Sequence, residues 1–203
     1  MVTVIRAVEL GLRKHGHWIF QGLSLEAPPG SLVAVVGPSD SGRSCFLLAL
    51  AGRMKVTRGE LTVDGARSVR GKVAVARVRP PIDLTPELRV GEHARERRRL
   101  ERVGKDAFGR ACSALGWNAP EKELTEELDA ADRTLLCAAL GLMAGKPVVV
   151  LDDVHDNTAT DRQEQVWLAL RRACDAGATI VASTVEEAPA RGLADGWVRC
   201  ARA

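Results

Sequence analysis

Between residues 37 and 44 the chain reads Gly-Pro-Ser-Asp-Ser-Gly-Arg-Ser, two glycines separated by four residues and followed by a cation and a hydroxyl. This spacing is that of a phosphate loop, G-x-x-x-x-G-K-[S/T], with Arg43 in the lysine position. Its chemistry is anion binding. Backbone N–H groups of a tight glycine-bounded loop converge on negative oxygens, and the dipole of the following helix adds to their pull. The residues expected to form the cradle are Gly37, Pro38, Ser39, Asp40, Ser41, Gly42, Arg43, Ser44 and Cys45. Two of them cut across the pattern. Arginine keeps the charge but is larger and planar, and Asp40 sets a carboxylate close to where phosphate oxygens would sit. An ordinary strand-turn-helix corner without a ligand is the alternative that the loop alone leaves open.

A second cluster lies more than a hundred residues downstream. Val148-Val149-Val150-Leu151 is an uninterrupted apolar run ending in Asp152 and Asp153. A buried strand of this kind delivers its terminal carboxylate to the edge of a sheet, the Walker-B arrangement. There Asp152 could hold Mg²⁺ together with the Ser44 hydroxyl. Asp153, one residue on, is placed to orient or deprotonate an attacking water.

These residues need a scaffold. Leu32 to Val36 is short, apolar and β-branched at three of five positions, a buried strand, and Arg43 to Leu50 is rich in good helix formers. Upstream, Val2–Leu10 and Leu23–Ala27 read as strands around a polar turn from Arg13 to His17. Downstream, a turn at Thr57-Arg58-Gly59 leads into a strand at 60–65, followed by another at Lys72–Ala76. Pro80-Pro81 then breaks the pattern, and Leu84 to about Leu128 reads as a helical insertion. Helices are expected at Val90–Val103, Lys105–Leu115, Ala131–Met143 and Arg162–Cys174, with a further strand at Ala178–Thr184. Strands alternating with helices imply a mostly parallel sheet covered on both faces.

Composition narrows the class. The 203 residues are 46% hydrophobic and 27% charged, as in a soluble globular domain, and no segment is long and apolar enough to cross a bilayer. The N-terminus lacks the pattern of a signal peptide, so a cytoplasmic location is expected. A net charge of +3 is too small to argue for nucleic acid, and the basic run Arg95–Arg102 reads as a solvated helix face. Five scattered cysteines and four histidines show no metal-ligand spacing.

The sequence resembles the nucleotide-binding domain of ATP-binding cassette (ABC) proteins. The likeness is collinear along nearly the whole chain. It includes Leu23-Ser-Leu-Glu-Ala-Pro-Pro-Gly-Ser ahead of the loop, Leu50-Ala-Gly-Arg-Met and Gly59-Glu-Leu-Thr-Val-Asp-Gly after it, Leu84-Thr-Pro-Glu-Leu-Arg-Val-Gly-Glu before the helical region, and Leu193-Ala-Asp-Gly-Trp-Val near the end. The resemblance implies an α/β P-loop NTPase fold with a mostly parallel core sheet, an N-terminal antiparallel β subdomain and a helical subdomain at about 84–140. The whole of 1–203 would form one such domain. ATP and Mg²⁺ would be the ligands, and an integral membrane permease and a second cassette, in a homodimer or heterodimer, the partners. The site would lie in the cytoplasm or on the inner face of the cell membrane.

The family's functional motifs are altered. Leu128-Asp129-Ala130-Ala131-Asp132 stands where the family has Leu-Ser-Gly-Gly-Gln, Asp153 replaces a catalytic glutamate, and Val154 a proline. Val185 or Glu186 occupies the place of the switch histidine, and Arg79-Pro80-Pro81 that of a glutamine. His15 or Trp18 would have to serve as the ring that stacks on adenine. The expectation is a degenerate ATP-binding subunit of a transporter, at most a weak Mg-dependent ATPase. A non-transport pseudo-ATPase gating a protein partner is the competing reading, and a nucleic-acid-associated ATPase ranks third.

Overall fold

The computed structural model describes residues 4–202. Two sheets build it. Strands β1 (Ile5–Lys14), β2 (His17–Ala27) and β4 (Arg58–Val63) form an antiparallel sheet in the order β2-β1-β4. Strands β3 (Leu32–Val36), β5 (Val73–Arg77), β6 (Val148–Leu151), β7 (Ile180–Thr184) and β8 (Gly196–Arg199) form a parallel sheet in the order β5-β6-β7-β3-β8. The helices are α1 (Arg43–Leu50), α2 (Val90–Glu101), α3 (Ala107–Leu115), α4 (Ala130–Leu142) and α5 (Thr160–Asp175).

Strands β3, β5, β6 and β7 are buried along their whole length. That burial explains why their sequences are continuous apolar runs rather than alternating ones: both faces of the sheet are covered. Side chains still alternate in direction. Leu32, Ala34, Val36, Val149, Leu151, Ile180 and Ala182 pack toward α3, α4 and α5. Val33, Val35, Val148, Val150 and Val181 pack the other way, against α1 and the antiparallel sheet. Phe20 of β2 meets Phe46 of α1 edge to face, with centroids 5.5 Å apart and planes at 82°, and this contact seats the helix that follows the phosphate loop.

Several boundaries shift from the sequence expectation. Arg13, Lys14 and His17 belong to strands, so the turn shrinks to His15-Gly16, with φ of 49° and 85°. Positive φ at both central residues defines the two-residue hairpin turn whose twist matches that of its strands. Thr57-Arg58-Gly59 is likewise no simple turn, because Arg58 and Gly59 already lie in β4. Val2 and Thr3, expected at the start of the first strand, lie outside the described residues. The basic helix α2 is a half-solvated face: Arg97 pairs with Glu101 at 3.6 Å and also reaches the Val75 carbonyl at 3.0 Å. All five cysteines carry free thiols and four are buried, so they act as small apolar fillers. Among the described residues no helix is long and apolar enough to cross a membrane.

Trp167 of α5 is fully buried in the core between the helices and the sheet, and its indole N–H has no partner. Trp167→Ala is expected to cost about 3–5 kcal/mol in urea unfolding. Trp167→Phe, which also removes the unpaired donor, should cost less than about 1.5 kcal/mol. Equal losses would show that shape alone matters there.

Candidate functional site

The carboxyl ends of β3, β6 and β7 are neighbours in the sheet, and the chemistry-bearing residues gather at that edge. Gly37 follows β3, Asp152 and Asp153 follow β6, and Ser183-Thr184 closes β7. Loops at this edge of an open parallel sheet are where α/β folds place ligands.

The loop requires its glycines. Gly42, at φ of 84°, precedes α1, and a Cβ there would lie 2.4 Å from the Ile19 carbonyl oxygen. A Cβ on Gly37 would meet the Cys200 carbonyl oxygen at 2.3 Å and the Ser41 hydroxyl at 2.6 Å. The backbone therefore passes too close to its surroundings for any side chain at either position. The N-terminus of α1 has no side-chain cap. Its first-turn amides are thus left for another acceptor. Pro38, Ser39 and Asp40 form the exposed tip, with Asp40 at φ of 63°, while Ser41 is buried and its hydroxyl has no partner. Ser44 and Cys45 are half-buried in the first turn of the helix.

Asp152 is 1% exposed. One carboxylate oxygen accepts from the Ser183 hydroxyl, and the other is buried without a partner. Burial pushes its pKa above the ordinary 3.8, the nearby charge of Asp153 pushes the same way, and the Ser183 and Ser44 hydroxyls and Arg43 only partly offset them. A buried carboxylate oxygen with a free lone pair beside a serine hydroxyl is a donor set of hard oxygens, which suits Mg²⁺. The glycine-lined loop and the uncapped helix suit phosphate. The residues present therefore fit both ligands that the sequence pattern implies.

Arg43 behaves differently from the pattern's lysine. Its guanidinium, 7% exposed as a residue, turns inward to the sheet edge. It donates to the Gly37 carbonyl, to the Thr184 carbonyl at 3.1 Å and to the Asp153 carboxylate at 2.9 Å. Asp153 sits at φ of 51°, a left-handed conformation that a non-glycine residue adopts only when its surroundings enforce it. Its N–H donates to the Ser183 hydroxyl at 2.9 Å, and its carbonyl accepts from Arg77 at 2.6 Å. His155 places its Nδ1 3.9 Å from the Asp153 carboxylate. Burial lowers the His155 pKa, against the pull of Asp153.

Sequence reasoning passed over Arg77 and His155. Arg77 is 2% exposed at the end of β5, where it donates twice to the Asp152 carbonyl, at 3.2 and 3.0 Å, and to the Thr134 hydroxyl of α4 at 3.3 Å. It ties the turn carrying both aspartates to the helical region. The one available signal was a cation closing an apolar strand beside the run that ends in Asp152.

Other expected residues are occupied elsewhere. Asp129 caps α4, accepting from the Asp132 N–H at 2.8 Å and from Arg162 at 2.6 Å, and Asp132 accepts the Trp117 indole N–H at 2.9 Å. The guanidinium groups of Arg13 and Arg58 lie over the Trp18 ring, 5.8 and 5.9 Å from its centroid. His15 is exposed at the hairpin tip.

The raised pKa of Asp152 has a definite sign. Its folded form binds a proton more tightly than the unfolded chain does, so its stabilising contribution is full below 3.8 and is lost as pH rises through the folded value. Asp152→Asn is therefore expected to raise the melting temperature at pH 7, with the gain vanishing on acidification to about pH 3. A gain that persists or grows in acid would contradict the assignment.

Comparison with known proteins matches this geometry. A model of the ABC transporter family matches residues 20–156, which include the loop and both aspartates. The L-cystine transport system ATP-binding protein TcyN of Escherichia coli is 26% identical over 96% of this chain and 85% of its own length. The hemin import ATP-binding protein HmuV of Gloeobacter violaceus is 40% identical, but the match covers 30% of this chain and 22% of that protein. This chain thus spans less than a quarter of the length of that relative. The structure of an ABC transporter ATP-binding protein from Pyrococcus furiosus superposes with a TM-score of 0.80 over 97% of this chain and 96% of that one, at 18% identity. By its phosphate loop, its strand-end aspartates and the match that spans them, the chain belongs to the ABC transporter family.

Proposed function

We propose that the chain is the ATP-binding cassette of an ABC-type transport system, a single domain whose helical part lies at about 84–140 and whose hydrolytic apparatus is impaired. The observation that carries this reading is the uncapped N-terminus of α1 behind the Gly37–Gly42 loop, beside the unpartnered oxygen of Asp152. Phosphates would rest on the backbone N–H groups of the Gly37–Cys45 segment, in which Pro38 has none to give. Mg²⁺ would take Asp152 and Ser44 and neutralise phosphate charge. An integral membrane permease and a second cassette are the expected partners, at the inner face of the membrane.

Impairment follows from named residues. Asp153 is engaged by Arg43. Ala130 and Ala131 open α4 where the signature glycines would lie, and Val185 and Glu186 follow β7 where an imidazole would be needed. Phosphoryl transfer depends on positioned charge, so each change weakens the same step. The Arg43–Asp153 pair also favours a second reading, a non-transport pseudo-ATPase that gates a protein partner. Co-purification with an integral membrane protein would select the first reading, and a chain that stays monomeric with and without ATP the second.

Calorimetry with millimolar Mg-ATP should give binding heat, accompanied by a higher melting temperature. Gly42→Ala should abolish the heat. No heat with the wild-type chain would show that ATP is not the ligand of the cradle. Arg43→Lys combined with Asp153→Glu should raise phosphate release only modestly, because the turn at Leu128–Asp132 and the segment after β7 are unchanged. Robust turnover by that double variant would refute the assigned impairment.

A further inference from the structure

In the phosphate-loop pattern the lysine reaches the β- and γ-phosphates. Here the corresponding side chain is already bound by the protein. Arg43 donates to two strand-end carbonyls, of Gly37 and Thr184, and to the Asp153 carboxylate, and is almost wholly buried there. A guanidinium held by three internal oxygens has little charge left to offer outward. Its charged partner is the Asp153 carboxylate, so the far end of the site has no free positive charge to meet a further phosphate.

The near end has the opposite character. The amides of the first turn of α1 have no side-chain cap, and the buried Ser41 hydroxyl has no partner. Negative oxygens are favoured at such a helix terminus. The molecule therefore offers an attractive near end that receives the first phosphates and a blocked far end, its cation already paired, that a third would have to enter.

We propose that Arg43, anchored by Asp153, closes the far end of the phosphate site, so that this chain selects a nucleoside diphosphate over a nucleoside triphosphate. The inference rests on the nucleotide-binding reading above and names the ligand class of that same site. Asp153 is then a positioning residue for Arg43.

The test is calorimetry on the full chain with Mg²⁺ present, titrating ADP and, separately, the non-hydrolysable triphosphate AMP-PNP. ADP is expected to bind at least about tenfold more tightly than AMP-PNP. Asp153→Asn releases the guanidinium and removes one repelling charge, so the ratio should fall to about threefold or less. If that variant does not fold, Arg43→Lys, whose ammonium cannot hold two carbonyls and the carboxylate together, frees positive charge at the same end and should narrow the ratio likewise. Equal affinity of the wild-type chain for the two nucleotides, or a ratio unchanged in the variant, overturns the proposal and leaves nucleotide binding standing. Binding of neither nucleotide removes both.

Discussion

One buried cation organises the sheet edge. The Arg43 guanidinium bridges the ends of three strands: the Gly37 carbonyl after β3, the Thr184 carbonyl of β7 and the Asp153 carboxylate after β6. Each acceptor alone would be a polar group at the lip of an apolar sheet. A guanidinium satisfies all three at once because it presents five donors in a rigid plane, which an ammonium cannot match. The same fit makes the residue costly to disturb, since removing one partner of a buried charge leaves the other exposed to a low dielectric.

A second arginine works beneath it. Arg77 holds the carbonyls of Asp152 and Asp153 and reaches Thr134 on α4. With Ser183 binding both the Asp152 carboxylate and the Asp153 N–H, the turn is fixed from two sides, which is how Asp153 keeps its left-handed backbone. The acidic pair is thus set by contacts from β5 and β7, and α4 is joined to it through Arg77.

Much of the scaffold was legible because its signals are local. Leu32–Val36 and Val148–Leu151 appear as strands at the residues expected, since strands buried on both faces must be apolar throughout. The loop was legible from its glycine spacing, although the backbone that those glycines approach, at Ile19 and Cys200, lies far along the chain. The hairpin turn was read too wide because Arg13, Lys14 and His17 are polar residues at the exposed end of the two strands, and polarity was taken as a turn signal. The strand order β5-β6-β7-β3-β8 and the role of Arg77 were hidden, because the partners lie far along the chain. The internal capture of Arg43 was hidden too. The sequence shows the substitution but not that three acceptors await it.

The strength of the Arg43–Asp153 contact is the quantity on which this account turns, and a double-mutant cycle measures it directly. Denaturant unfolding of the ligand-free chain, with Arg43→Met and Asp153→Asn singly and together, isolates the pairwise energy. The account predicts a coupling of about 1 kcal/mol or more, with each single change costing more than the pair's removal implies by addition. Additive losses, with a coupling near zero, would mean that the guanidinium is not held by Asp153 and that the far end of the phosphate site stands open.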